Sequence, residues 1–165
     1  MRRKDREITD FNKLVEIIDH CEVLRLGLID GEFPYIVPVN FSYEADISNC
    51  EICFYIHGAM AGRKYDLLKK NSKCSFEMDN LLKIEYLYDC HDITTRYESV
   101  MGTAKVEEIA DCNKEIVMQE KVLSRWEKAK TFPWNRESLK RCAIFKIVVK
   151  TISGKMNPLN GGADL

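Results

Sequence analysis

The chain has 165 residues, 45% of them hydrophobic, which suits one domain with a real core and excludes a disordered tail. Lys and Arg number 25 against 26 Asp and Glu, a net charge of −1, so no global charge favours nucleic acid. No apolar run reaches the ~18 residues of a membrane helix, and the basic start "MRRKDREITD" lacks the apolar stretch of a secretion leader. A cytoplasmic protein is expected, with its seven scattered cysteines kept as thiols.

Thr9 or Asp10 can cap a first helix, in which Phe11, Leu14, Val15 and Ile18 share a face. Glu22–Ile29 reads as a strand, and "DGEFP" turns the chain. In "YIVPVNFSY" the residues Tyr35, Val37, Val39, Phe41 and Tyr43 alternate onto one side. Pro38 removes a ladder donor there and marks an edge or a bulge. "EICFYIH" is a third strand, followed by a short helix near 61–70 with Tyr65, Leu67 and Leu68 inward.

"KCSFEM" and "IEYLY" read as two strands. Thr94–Ile109 reads as one long strand bending at Gly102. Asp111 can cap a helix to about Ala129, with Val122, Leu123 and Trp126 inward. "RCAIFKIVVKTIS" closes the pattern, its Ala143, Phe145, Ile147, Val149, Thr151 face the apolar one. Six or seven strands with short helices imply an antiparallel, mainly β barrel carrying peripheral helices. The domain spans 1–155, with 156–165 as a loose tail.

Few stretches carry chemistry. Cys50 and Cys53 form a CxxC without the second pair that zinc requires, and Cys90-His91 lacks further ligands, so no metal site is expected. No serine elbow, HExxH or Walker loop occurs. "HGAMAGRK", residues 57–64, is different. It joins small residues, a helix start and the cations Arg63 and Lys64, the ingredients of a phosphate site. The same stretch also reads as a solvated surface turn.

Four stretches, "RRKDREI", "PYIVPVNFSY", "FYIHGAMAGRKYDLLKKN" and "RYESVMGTAKVEEI", occur in an order and spacing that resemble one family. It is the nitroimidazole-resistance (Nim-type) branch of the pyridoxamine-phosphate-oxidase-like, FMN-binding split-barrel superfamily. The resemblance implies a split β-barrel that forms a homodimer, with FMN in the groove between subunits. It implies that Pro38, Val39, Asn40 and Phe41 lie along the flavin ring and that His57, Gly58 and Ala59 rest against it. Arg63 and Lys64 would hold the FMN phosphate, and Tyr97, Ser99 and Val100 would pack nearby.

His57 is the proton handler or a packing group of that site. The implied activity is ping-pong electron transfer from a small-molecule donor to a small acceptor such as a nitroaromatic compound. Two alternatives are a non-enzymatic flavin or haem carrier and pyridoxamine-phosphate oxidation. The segments "EADISNC" and "LLKIEYLYDCHDITT" depart from relatives.

Overall fold

A computed structural model of the chain describes residues 2–131 and 135–157. The first helix, α1 (Phe11–His20), starts where the Asp10 carboxylate accepts from the Asn12 N–H at 3.0 Å. It buries Leu14, Ile17 and Ile18. The strands are β1 (Glu7–Ile8), β2 (Leu24–Leu28), β3 (Tyr35–Val39), β4 (Ser42–Asp46), β5 (Glu51–Ala59), β6 (Lys73–Leu87), β7 (Asp92–Glu108) and β8 (Cys142–Asn157). Helix α2 (Arg63–Lys70) follows β5 and buries Leu67 and Leu68.

All pairings are antiparallel, in the order β3-β2-β6-β7-β8-β5-β4, with β1 added to β8. The two ends of this order, β3 and β4, are separated in sequence only by Asn40 and Phe41. Two residues span under about 10 Å, so the sheet must curl until its edges nearly meet. The result is a split β-barrel, as expected. Pro38 lies on the edge strand β3, opposite Arg25, where its missing N–H costs no ladder bond across the open side. Inside, Phe41, Phe54 and Phe76 meet edge to face at centroid distances of 5.6 and 5.2 Å. Truncating such a ring to Ala typically costs about 3–5 kcal/mol.

Two expectations are corrected. The run expected as "KCSFEM" plus "IEYLY" is the single strand β6, because β7 pairs with it throughout and Leu81–Lys83 absorbs one residue as a bulge. The helix expected from Asp111 to Ala129 is broken into α3 (Lys114–Val117), a π turn at Met118–Val122 and α4 (Glu127–Thr131). Buried Ser42 explains the break: its hydroxyl donates to the Lys121 carbonyl at 2.6 Å, and the Ser124 hydroxyl donates to the same oxygen at 2.6 Å. Arg125 is meanwhile drawn to the end of α1, where it donates to the Asp19 and Cys21 carbonyls and stacks 4.5 Å over Phe41.

Trp126, expected inward, is consequently 39% exposed, whereas Val122 is buried. The final strand runs to Asn157, past residue 155. Phe132 and Trp134 of "TFPWNRES", and residues 158–165, lie outside the described residues. Among the described residues, no helix is long and apolar enough to cross a membrane.

Candidate functional site

The ladder between β4 and β5 ends at Ser42 opposite Tyr55. Beyond it, His57, Gly58 and Ala59 pair on one side only, with Ile144, Ala143 and Cys142 of β8. Their other backbone edge is therefore free of sheet partners among the described residues. The link residues run past this point, with Asn40 exposed and Phe41 packed into the core. Helix α2 reaches the same place. Gly62 at its start has φ of +94°, a conformation that favours glycine, and no side chain caps the helix. The first intrahelical bond is from the Asp66 N–H to the Gly62 carbonyl, so the N–H groups of Arg63, Lys64 and Tyr65 have no helical partner. A mouth forms here, with bare backbone on one side and a helix N-terminus on the other.

The two cations behave differently. Arg63 is paired with the Asp30 carboxylate, with Nε–Oδ2 at 2.5 Å, and its guanidinium lies 5.1 Å over the Tyr35 ring of β3. Lys64 has no carboxylate partner among the described residues. Its side chain folds over Gly58, where an added Cβ would sit 2.7 Å from Nζ. Burial pushes the Lys64 pKa below its ordinary value. The His57 pKa is lowered too, first by desolvation and then by the Lys64 charge, although the residue keeps an exposed surface. His57 is thus neutral at pH 7. An anion at this mouth would relieve Lys64 and complete the uncapped helix end, so Lys64 and the α2 N-terminus fit a phosphate group. Arg63 fits it less well, because Asp30 already neutralises part of its charge.

On the side of β5 away from the main core lies a cavity of about 410 Å³, entered beside His57, Gly58 and Ala59. Met118, Leu123 and Leu139 give it an apolar wall, and Ser138, Arg141 and Cys142 line its rim. Met118, Leu123, Ser138, Leu139, Arg141 and Cys142 were not site candidates from sequence. They carry no motif, and they come from separate pieces: the broken helix supplies Met118 and Leu123, the 3-10 turn Arg136–Arg141 supplies Ser138, Leu139 and Arg141, and β8 supplies Cys142.

The structure brings Asn40, His57, Gly58, Ala59 and Lys64 to one mouth, with Arg63 at its flank. Pro38 is exposed on β3, one strand edge away. Val39 and Phe41 point their side chains into the core, 8% and 1% exposed, so only their main chain is left for a ligand. Tyr97, Ser99 and Val100 are not brought there. Tyr97 pairs with Asn157, whereas His57 pairs with Ile144, thirteen residues earlier on β8 and roughly 40 Å away along the strand. Val100 is fully buried, and the Lys155 ammonium lies 5.4 Å over the Tyr97 ring.

A polar network near that second region also lacked a sequence signal. Glu98, 3% exposed, accepts from Asn80 Nδ2 at 3.0 Å and lies 3.0 Å from His20 Nδ1. His20 is the last residue of α1, so this contact ties the helix end to Glu98 of β7.

The chain is thus an antiparallel split barrel with an anion-ready mouth at its open edge. The chain belongs to the pyridoxamine 5'-phosphate oxidase family, whose model matches residues 10–156. Among solved structures, a candidate 5-nitroimidazole antibiotic resistance protein from Bacteroides thetaiotaomicron is 26% identical, with a TM-score of 0.76, over 91% of this chain and 86% of that one. The flavocytochrome Anf3 from Azotobacter vinelandii is 20% identical, with a TM-score of 0.76, over 98% and 75%. An FAD and haem binding protein from Mycobacterium smegmatis is 18% identical, with a TM-score of 0.78, over 97% and 76%. These last two likenesses establish the fold alone. No protein with a curated description matches the chain.

Proposed function

We propose that this protein is an FMN-dependent oxidoreductase that reduces a small acceptor, with nitroaromatic compounds as the acceptor class. The observation that carries the reading is the mouth itself, where three features converge: a backbone edge at His57–Ala59 and a Lys64 that have no sheet or carboxylate partner among the described residues, and an uncapped helix N-terminus. Lys64 and the first N–H groups of α2 hold the cofactor phosphate. The free edge of Gly58 and Ala59 and the exposed Asn40 amide offer hydrogen bonds to the edge of a planar ring. When bound, FMN supplies two-electron redox chemistry, alternating between a reduced donor and an oxidised acceptor.

His57 is neutral at pH 7, so one ring nitrogen can accept a proton while the other donates a hydrogen bond. The wall of Met118, Leu123 and Leu139 limits water beside it. Tyr97 and Ser99 stay far from the mouth in one chain, so a part for them in the site requires a second copy, and buried Val100 offers no side chain to it. The reading is accordingly that of a homodimer with the cofactor between subunits.

The test is turnover. Protein loaded with FMN is mixed with NADH or NADPH and a 5-nitroimidazole, and nitro absorbance is followed without oxygen. Loss of the nitro band in proportion to donor supports the reading. A flavin that is reduced but never reoxidised by the nitro compound contradicts it and leaves a carrier. The two haem-holding neighbours favour a second reading, in which the exposed His57 ring ligates haem iron. A Soret band on haem addition that His57→Ala abolishes would select it.

A further inference from the structure

The cavity beside His57 carries a charge pattern that the phosphate site does not account for. Among the described residues that line it there is no carboxylate. Arg141 lines it without an ion-pair partner among the described residues, although its neighbours Arg136 and Lys140 are paired with Glu115 and Glu137. Lys64, without a carboxylate partner among the described residues, adds a second cation across Gly58. The opposite wall, Met118, Leu123 and Leu139, is apolar, and Met118 and Leu139 are buried. A site with an apolar wall, one cation at its rim and no acid selects a flat or small apolar body bearing one negative group.

We propose that this cavity binds small monoanionic organic molecules, with Arg141 as the partner of the anionic group and the Met118–Leu123–Leu139 wall holding the apolar body. Lys64 is then left for the phosphate, and the two anions occupy separate places on either side of Gly58. That such a molecule serves as the electron acceptor rests on the flavin reading above; its binding does not. As acceptors, nitroaromatic acids should be preferred over neutral nitroaromatics of the same shape.

The experiment uses full-length protein with labelled histidine rings, whose three signals are assigned with His57→Asn. Benzoate and benzamide, its neutral near-isostere, are titrated in separate samples without flavin. Benzoate is expected to shift the His57 signals and to bind about tenfold more tightly than benzamide. Arg141→Gln should bring the two affinities within about twofold, while Arg141→Lys keeps most of the difference. Arg141 is exposed, so both variants should fold, and their Tm checks this. Equal affinities in the wild type, a preference that survives Arg141→Gln, or no response of His57 to either probe overturns the proposal. Titrating FMN into the same samples separates the two ideas. A benzoate preference without flavin uptake sinks only the flavin reading. Flavin uptake without the preference sinks only this one.

Discussion

The Lys64 ammonium lies against the main chain of Gly58, so close that a Cβ on residue 58 would come within 2.7 Å of Nζ. The obstacle is the tip of a flexible side chain, not backbone, so Gly58→Ala should displace Lys64 and leave the barrel intact. A Tm within a few degrees of wild type is expected, with FMN affinity reduced about tenfold. A large fall in Tm would mean that the contact holds the fold and not a ligand.

The same contact sets a pH dependence. His57 titrates below its ordinary value near 6.5 in the folded chain, through desolvation first and Lys64 second. The folded state therefore binds fewer protons than the unfolded one just below pH 6.5. The stability this group contributes is present above that value and is lost as pH falls through the folded pKa. Lys64→Met removes the like charge, so the His57 pKa should rise toward 6.5 and the loss of Tm between pH 7 and pH 5 should shrink. An NMR titration in which the variant's His57 moves down instead would exclude Lys64 as the neighbour that matters.

Thiol chemistry should separate the cysteines by burial. Burial, aided by Glu98 and Asp79, pushes the Cys21 thiol up to about 11, and burial alone raises Cys74 to about 11. Cys50, Cys90 and Cys112 are exposed. Ellman's reagent at pH 8 should find three fast thiols and reach Cys21 and Cys74 only on unfolding. Fast modification of either buried thiol, mapped by mass spectrometry, would contradict the packing.

Gly102 is the tightest glycine of the sheet. An added Cβ would lie 1.9 Å from the Thr151 carbonyl and 2.7 Å from the Phe76 ring. Backbone cannot yield as a lysine tip can. Gly102→Ala should cost about 3 kcal/mol, near 10 °C in Tm. Thermal melting within about 2 °C of wild type would show that β7 and β8 slide past each other more easily than the register suggests.

Local signals in the sequence carried far. Alternation placed Tyr35, Val37 and Val39 on one side of β3, the missing donor of Pro38 put that strand at an edge, and Asp10 capped α1. The candidate mouth was legible for the same reason: Gly58, Arg63 and Lys64 lie within eight residues, so the chain itself brings them together. What was illegible depends on distant partners. Ser42 intercepts a carbonyl of Lys121 and breaks a helix that local spacing favours. The bulge at Leu81–Lys83 lets β6 run on because β7 is there to pair with it. The cavity joins His57 to Met118 and Arg141, residues with no common period, which the broken helix, the 3-10 turn Arg136–Arg141 and the pairing of β8 with β5 set side by side. Arg63 and Lys64 are equal phosphate ligands by local sequence, and only Asp30, thirty-three residues earlier, sets them apart by holding Arg63.

The most direct test of the account is an FMN titration followed by visible absorbance and fluorescence quenching, on wild type, Lys64→Ala and Arg63→Ala. The account predicts saturable uptake by wild type. Lys64→Ala should weaken it by about 2 kcal/mol, roughly thirtyfold, and Arg63→Ala by clearly less. A wild-type protein that is colourless when purified and takes up no added FMN would contradict the central claim. The mouth at His57–Lys64 would then be a solvated edge of a family barrel with no redox role.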